Sequence, residues 1–150
     1  MPVLTFLLER LDTPTGRILI VTDGQDRLRA IDWEDHEPRM QALLKRHYGA
    51  CRFRLREMRQ PSMARRSLHA YFEGNLEALT DQPTATNGSD FQRLVWDALR
   101  RIPVGHTVSY GALAAQVGRP TAARAVGLAN DANPIPIVVP CHRVIGRPAR

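Results

Sequence analysis

The sequence predicts an α+β chain in two parts, a strand-rich first half and a mostly helical second half. Three observations carry this. Up to Trp33 the apolar residues fall in short runs rich in β-branched and aromatic side chains, separated by turn residues. Beyond residue 88 they recur at helical spacing behind Ser, Thr or Asp. The charge changes at the same place: residues 1–87 hold 13 Lys+Arg against 12 Asp+Glu, whereas residues 88–150 hold 8 against 3.

Taken in order, Val3 to Leu11 reads as a strand ending in the turn Thr13-Pro14-Thr15-Gly16. Arg17 to Thr22 follows, then the turn-forming Asp23-Gly24, then Leu28 to Trp33. Glu37 to Tyr48 has helical spacing through Met40, Leu43, Leu44 and Tyr48 and stops at Gly49. Ser62 to Phe72 reads as a second helix with Met63, Leu68, Tyr71 and Phe72 inward. The polar, Pro- and Gly-punctuated stretch around residues 81–88 marks a boundary. The expected organisation is a domain over 1–82, a linker over 83–88 and a second domain over 89–150.

In the second part Ser89 or Asp90 caps a helix with Phe91, Leu94, Val95, Ala98 and Leu99 on one side, ended by Pro103-Val104-Gly105. Ser109 caps another through Val117, with Gly118 as its stop. Thr121 is expected to cap a third, Ala122 to about Asn130. Helix, short Gly-containing turn, helix is the helix-turn-helix pattern. The third helix offers one Arg124 among small residues, including Ala123, Ala125 and Gly127. A helix that reads base edges wants several Arg, Lys, Asn or Gln side chains. Small residues suit either close approach to a groove read by shape or close packing against another helix.

Bulk properties narrow the class. A chain of 150 residues, 43% apolar and 24% charged, suits a soluble globular protein. The strongest apolar run, Pro134 to Pro140, is too short to cross a bilayer, and no secretion signal is evident at the N-terminus. Two cysteines make no disulfide framework and fit a reducing, cytoplasmic setting. The five histidines show no metal-ligand spacing. A net charge of +6 concentrated in the second part points to an anionic partner, nucleic acid first.

Cys51 has no chemical partner nearby and reads as inert. Cys141 differs, because it sits between Pro140 and the pair His142-Arg143 after the apolar run Ile135 to Val139. A thiol becomes a useful nucleophile when a neighbouring base or positive charge favours the thiolate.

Pro140-Cys141-His142-Arg143-Val144, with Tyr110 in Val-Ser-Tyr-Gly-Ala-Leu-Ala, Arg124 in Ala-Ala-Arg-Ala-Val-Gly and Asn133 in Asn-Pro-Ile-Pro-Ile, resembles the 6-O-alkylguanine-DNA alkyltransferase family. The likeness covers nearly all of 88–150 and, more loosely, the first half. It implies a ribonuclease-H-like N-terminal domain and a winged-helix-like C-terminal domain. It also implies duplex DNA carrying 6-O-alkylguanine as partner, bound through the minor groove by the helix that carries Ala123, Arg124, Ala125 and Gly127. By the resemblance, Tyr110 rotates the target nucleotide out, Arg124 fills the vacated stack, and Asn133 holds the turn before an active-site strand. Cys141 then takes the alkyl group irreversibly, with His142 as base through a water. No metal or organic cofactor is implied, and a monomer is expected.

The family pattern continues beyond the active-site motif with a pocket loop and a helix bearing a glutamate, whereas here nine residues follow Cys141 and no Asp or Glu follows Asp131. The expectation is therefore a family member weak or inactive in transfer. Alternative readings are a lesion-binding sensor that does not accept the group and a helix-turn-helix regulator. A cysteine hydrolase is disfavoured by the order and flanks of its residues.

Overall fold

The computed structural model describes residues 3–58 and 60–146. The chain forms two compact units, Met1–Asn87 and Gly88–Arg150.

The first unit opens with β1 (Leu4–Thr13), β2 (Gly16–Thr22) and β3 (Leu28–Trp33), each antiparallel to the one before. Only Pro14 and Thr15 separate β1 from β2. Thr13 Oγ1 donates to Gly16 O at 2.6 Å across that turn. The β2–β3 turn is organised by Asp23. Its Oδ1 accepts from the backbone of Gln25 and Arg27, and its Oδ2 from the Nε of Arg27 and of Arg29, each of these guanidinium contacts at 2.9 Å.

The expected three-strand sheet is corrected to four, in the order β3-β2-β1-β4. The added β4 (Phe53–Glu57) runs parallel to β1, with Phe6 opposite Leu55. Its alternation Phe-Arg-Leu-Arg-Glu has the period of a half-buried strand, so a signal was present. Between them sits α1 (Glu37–Tyr48), the crossover that a parallel connection requires. Met40, Leu44 and Tyr48 of α1 pack with Phe6, Leu8, Leu19, Val21 and Ala30, and half-buried Phe53 and Leu55 extend this core. Leu43 is only half-buried.

Helix α2 (Met63–Phe72) packs against β1 and β2. Ser62 caps it by accepting from Arg65 N. Its inward side is Ala64 and Leu68. Met63, expected inside, is 42% exposed, and Tyr71 and Phe72 are half-buried, meeting edge to face at 5.4 Å. The expected inward set put Met63 on the first turn of α2, but the turn's buried position belongs to Ala64, where a small side chain lets the helix approach the sheet. Residues 83–87, expected as a linker, are strapped to this unit. Leu28 N donates to Pro83 O, Ala85 N to Leu28 O, and Asn87 Nδ2 to His47 O.

The second unit contains α3 (Asp90–Arg100), α4 (Tyr110–Gln116) and α5 (Ala123–Asp131). Ser89 and Gln92 cap α3 reciprocally. Its buried side is Val95, Trp96, Ala98 and Leu99. Phe91 is half-buried and Leu94 is 42% exposed, because the indole of Trp96 takes the interior place. Ser109 caps α4 through Ala112 N, and Gly118 turns the chain at φ +78. Thr121 does not cap α5. Its N-cap is Ala122, without a side-chain hydrogen bond. No helix among the described residues is long and apolar enough to cross a membrane.

Candidate active site

The site grows from the end of α5. Asn133 is buried and uses both ends of its amide: Oδ1 accepts from Ile135 N at 2.9 Å, and Nδ2 donates to Val139 O at 2.8 Å. One side chain thus closes the loop 133–139 from inside. Val139 N donates back to Ile135 O at 2.9 Å. Within this loop Ile137 holds φ +76, a conformation costly for a β-branched residue.

Cys141 was expected on a strand. It lies instead in a 3-10 turn, Cys141–Arg143, and the strand β6 (Val144–Ile145) begins only afterwards. The cause is local. Pro140 lacks a backbone donor, Cys141 N turns back to Val139 O at 2.8 Å, and Arg143 N donates to Pro140 O at 3.0 Å. The thiol is free and half-buried. β6 pairs in parallel with β5 (Val108–Ser109), matching Val108 with Val144 and Ser109 with Ile145. This pairing brings the start of α4, and with it Tyr110, beside the exit of the cysteine turn.

His142 is exposed overall, yet partial burial of its ring and then the neighbouring Arg143 charge hold the imidazole below its ordinary value. It is therefore neutral at pH 7 and able to accept a proton. Arg143 does not stand free beside the thiol. Its Nη1 donates to Ile102 O at 2.6 Å and ties the turn to the end of α3.

The residues expected to flip the base and meet the groove lie on α4 and α5. Half-buried Tyr110 faces Gly127: a Cβ built there would lie 3.7 Å from the ring. Arg124 and Ala125 are exposed, and Ala123 is half-buried. The two uses left open for the small residues are thus divided along the helix. Gly127 meets an aromatic ring, and Ala125 faces outward.

Two contributors escaped the sequence. Asn130, in the last turn of α5, is buried, and its Nδ2 approaches Cys141 O at 3.5 Å. Trp96 donates from Nε1 to Ala129 O at 2.8 Å, fixing α5 against α3. Neither has a motif to mark it; only the packing shows them. Among the described residues no three His, Cys, Asp or Glu side chains are grouped to hold a metal.

Residues 7–86 match the family model described as 6-O-methylguanine DNA methyltransferase, ribonuclease-like domain, and residues 90–150 match the DNA binding domain of the same family. The chain belongs to the 6-O-methylguanine DNA methyltransferase family. It is 52% identical over 145 residues to a methylated-DNA--protein-cysteine methyltransferase of Salmonella typhimurium, covering 97% of this chain and 85% of that one. A protein of the same name from Mycolicibacterium paratuberculosis is 62% identical over 79 residues, 53% of this chain and 47% of that one. Among solved structures, the O6-methylguanine methyltransferase of Mycobacterium tuberculosis superposes with a TM-score of 0.73 at 38% identity, covering 96% of this chain and 79% of that one. The Mycobacterium tuberculosis OGT in complex with DNA gives 0.68 at 34% identity, covering 95% and 78%. In this methyltransferase family member, the amide-closed loop and the cysteine turn are one continuous stretch of backbone, and the β5–β6 pairing joins the start of α4 to it.

Proposed function

We propose that this chain repairs duplex DNA by moving the alkyl group of a 6-O-alkylguanine onto Cys141. The observation that carries the reading is the half-buried free thiol on a turn held by Asn133 and Arg143, in a chain half identical to named methyltransferases over nearly its whole length.

The step is one displacement. The Cys141 Sγ electron pair forms the S–C bond while the C–O6 bond breaks, and guanine keeps that pair and takes up a proton at the ring. His142, neutral at pH 7, receives the thiol proton through a water. The thioether has no route back, so each molecule acts once.

DNA is the partner, bound through unit 2. The finer reading is minor-groove contact by α5, with exposed Arg124 entering the stack and Tyr110 pressing the backbone that rotates the nucleotide out. Extrusion costs a few kcal/mol, less for a mispaired base, and this favours the lesion. A helix with one long polar residue among alanines suits a surface read by shape. The proposed setting is a monomer in the cytoplasm, with residues 89–150 as the reacting domain.

The test is intact mass after incubation with a duplex containing one 6-O-methylguanine, with Cys141→Ala alongside. A gain of one methyl in the unsubstituted chain alone is what the repair reading expects, against the weak or absent transfer expected from the sequence. Folded protein that gains none, yet prefers the lesion-bearing duplex, would make the chain a lesion sensor.

A further inference from the structure

Unit 1 carries a run of cations that the transfer reaction does not use. From Lys45 to Arg56 the chain holds five basic side chains (Lys45, Arg46, Arg52, Arg54 and Arg56) and no carboxylate, although the unit as a whole is nearly balanced. Along β4, Phe53 and Leu55 turn to the core, so Arg54 and Arg56 stand on the opposite face of the strand. Thr5 and Leu7 of β1 are their register partners there. Arg52 continues the alternation one step before the strand. All three arginines are exposed, and β4 is the end strand of its sheet.

Their lack of counter-ions sets them apart from the paired arginines of the same unit. Arg10, Arg17, Arg27, Arg29 and Arg39 each hold a carboxylate at 2.6 to 2.9 Å. Among the described residues, none of Arg52, Arg54 and Arg56 has a side-chain hydrogen bond or an ion pair. The nearest acid in sequence, Glu57, is taken by Arg10 at 2.7 Å. Charge on an end strand guards against edge-to-edge pairing, but one or two charges of either sign do that. Three of one sign at alternate positions, without a partner among the described residues, ask for an external anion. Alternate residues on a strand lie about 6.6 Å apart, close to the repeat between neighbouring phosphates of one nucleic-acid strand. Arginine's planar fork matches a phosphate in two places at once.

We propose that the Arg52-Arg54-Arg56 face of unit 1 is a second nucleic-acid contact, a ladder of guanidiniums for the phosphate backbone of DNA, separate from the surface that reads the lesion. It goes beyond the proposed repair reaction and rests on that reading only for DNA as the partner. The contact is to phosphate alone, so it is blind to sequence and to damage.

The test measures binding of the full chain to an undamaged duplex by fluorescence anisotropy over a range of salt. R52Q/R54Q/R56Q and R52K/R54K/R56K are compared with the unsubstituted protein, and circular dichroism monitors folding. Each phosphate contact contributes about 0.9 to the slope of log K against log salt, so the glutamine variant should be shallower by two to three, and about tenfold or more weaker near 0.1 M salt. The lysine variant should recover the slope, and methylation of Cys141 at saturating lesion DNA should proceed at the same rate in all three. An unchanged slope in the glutamine variant overturns the proposal, as does an equal loss in the lysine variant. Tighter binding of polyglutamate than of duplex at the same salt also overturns it, in favour of an acidic protein partner. If the glutamine variant does not fold, R54Q/R56Q replaces it, with an expected change of about two in slope. A chain that never gains a methyl but shows the slope change would sink the repair reading and leave this one standing.

Discussion

Asn133 commits both ends of its amide to one buried loop, and no other side chain present in the loop 133–139 supplies those contacts. Asn133→Ala leaves the buried Ile135 N–H without its partner and the Val139 carbonyl with the Cys141 N–H alone. The expected cost is about 1–3 kcal/mol in urea unfolding, from one unsatisfied buried group, together with a large fall in methyl transfer as the cysteine turn loses its anchor. His142 makes a prediction in pH. Its imidazole is held below the ordinary value of 6.5, so the neutral base persists into mild acid. The acid limb of the transfer rate should therefore have its midpoint below 6.5, read by single-turnover methylation across pH. A midpoint at or above 6.5 would mean that the base is another group.

Trp96 decides how α3 meets its neighbours. Gly88, just before the Ser89 cap, lies under its ring, and a Cβ there would come within 2.6 Å of two ring carbons. A large ring bonded to Ala129 O cannot easily yield. Gly88→Ala should destabilise unit 2 by about 1–3 kcal/mol, the usual penalty of overpacking, seen as a lower urea midpoint. Ser62 is a second such position. It caps α2, and both its backbone N and its hydroxyl donate to the buried carboxylate of Glu9. Ser62→Ala removes the cap and one of the two donors to Glu9. About 2–3 kcal/mol is expected from the lost cap and the under-satisfied carboxylate together, measured in the same way. Ser89 and Ser109 were legible as caps because the residue type and its place before an apolar period state the mechanism locally, whereas Ser62 was read as the first residue of its helix and is its cap. Thr121 met the same criteria and failed, because the chain enters α5 through Ala122 without placing the hydroxyl on the helix.

For the whole molecule, each unit has a core of its own, and the strap 83–87 belongs to the first. A fragment of residues 1–87 should unfold cooperatively by itself, followed by circular dichroism in urea, and a gradual non-cooperative loss would contradict this. Acid should act on that unit through Asp23. Burial alone pushes its carboxyl up, but the backbone N–H groups of Arg27 and Gln25 and the Arg29 guanidinium outweigh burial and hold it below the ordinary 3.8. A folded value below the unfolded one means that the stabilisation is complete above about pH 4 and lost as pH falls through the folded value. Asp23→Asn should flatten the acid side of the stability profile of unit 1, and an unchanged profile would assign acid unfolding elsewhere.

Most of the order of elements, the change of character near residue 88 and the motif around Cys141 were legible in the sequence. Periodicity, turn chemistry and a contiguous motif are local properties, and local properties survive in one dimension. The fourth strand was legible in period but not in partner, since its parallel pairing with β1 depends on α1 crossing the sheet between them. The interior side of α3 was misjudged because Phe91, Leu94 and Trp96 are all apolar, and only a neighbouring carbonyl on α5 selects the indole. The conformation of Cys141 likewise waited for the tertiary structure. Pro140 interrupts the strand, but Arg143 reaching Ile102, 41 residues away, and Asn130 beneath the turn hold it where it is. Contacts between residues far apart in the chain satisfy buried polar groups, and no local pattern states where such partners will be found.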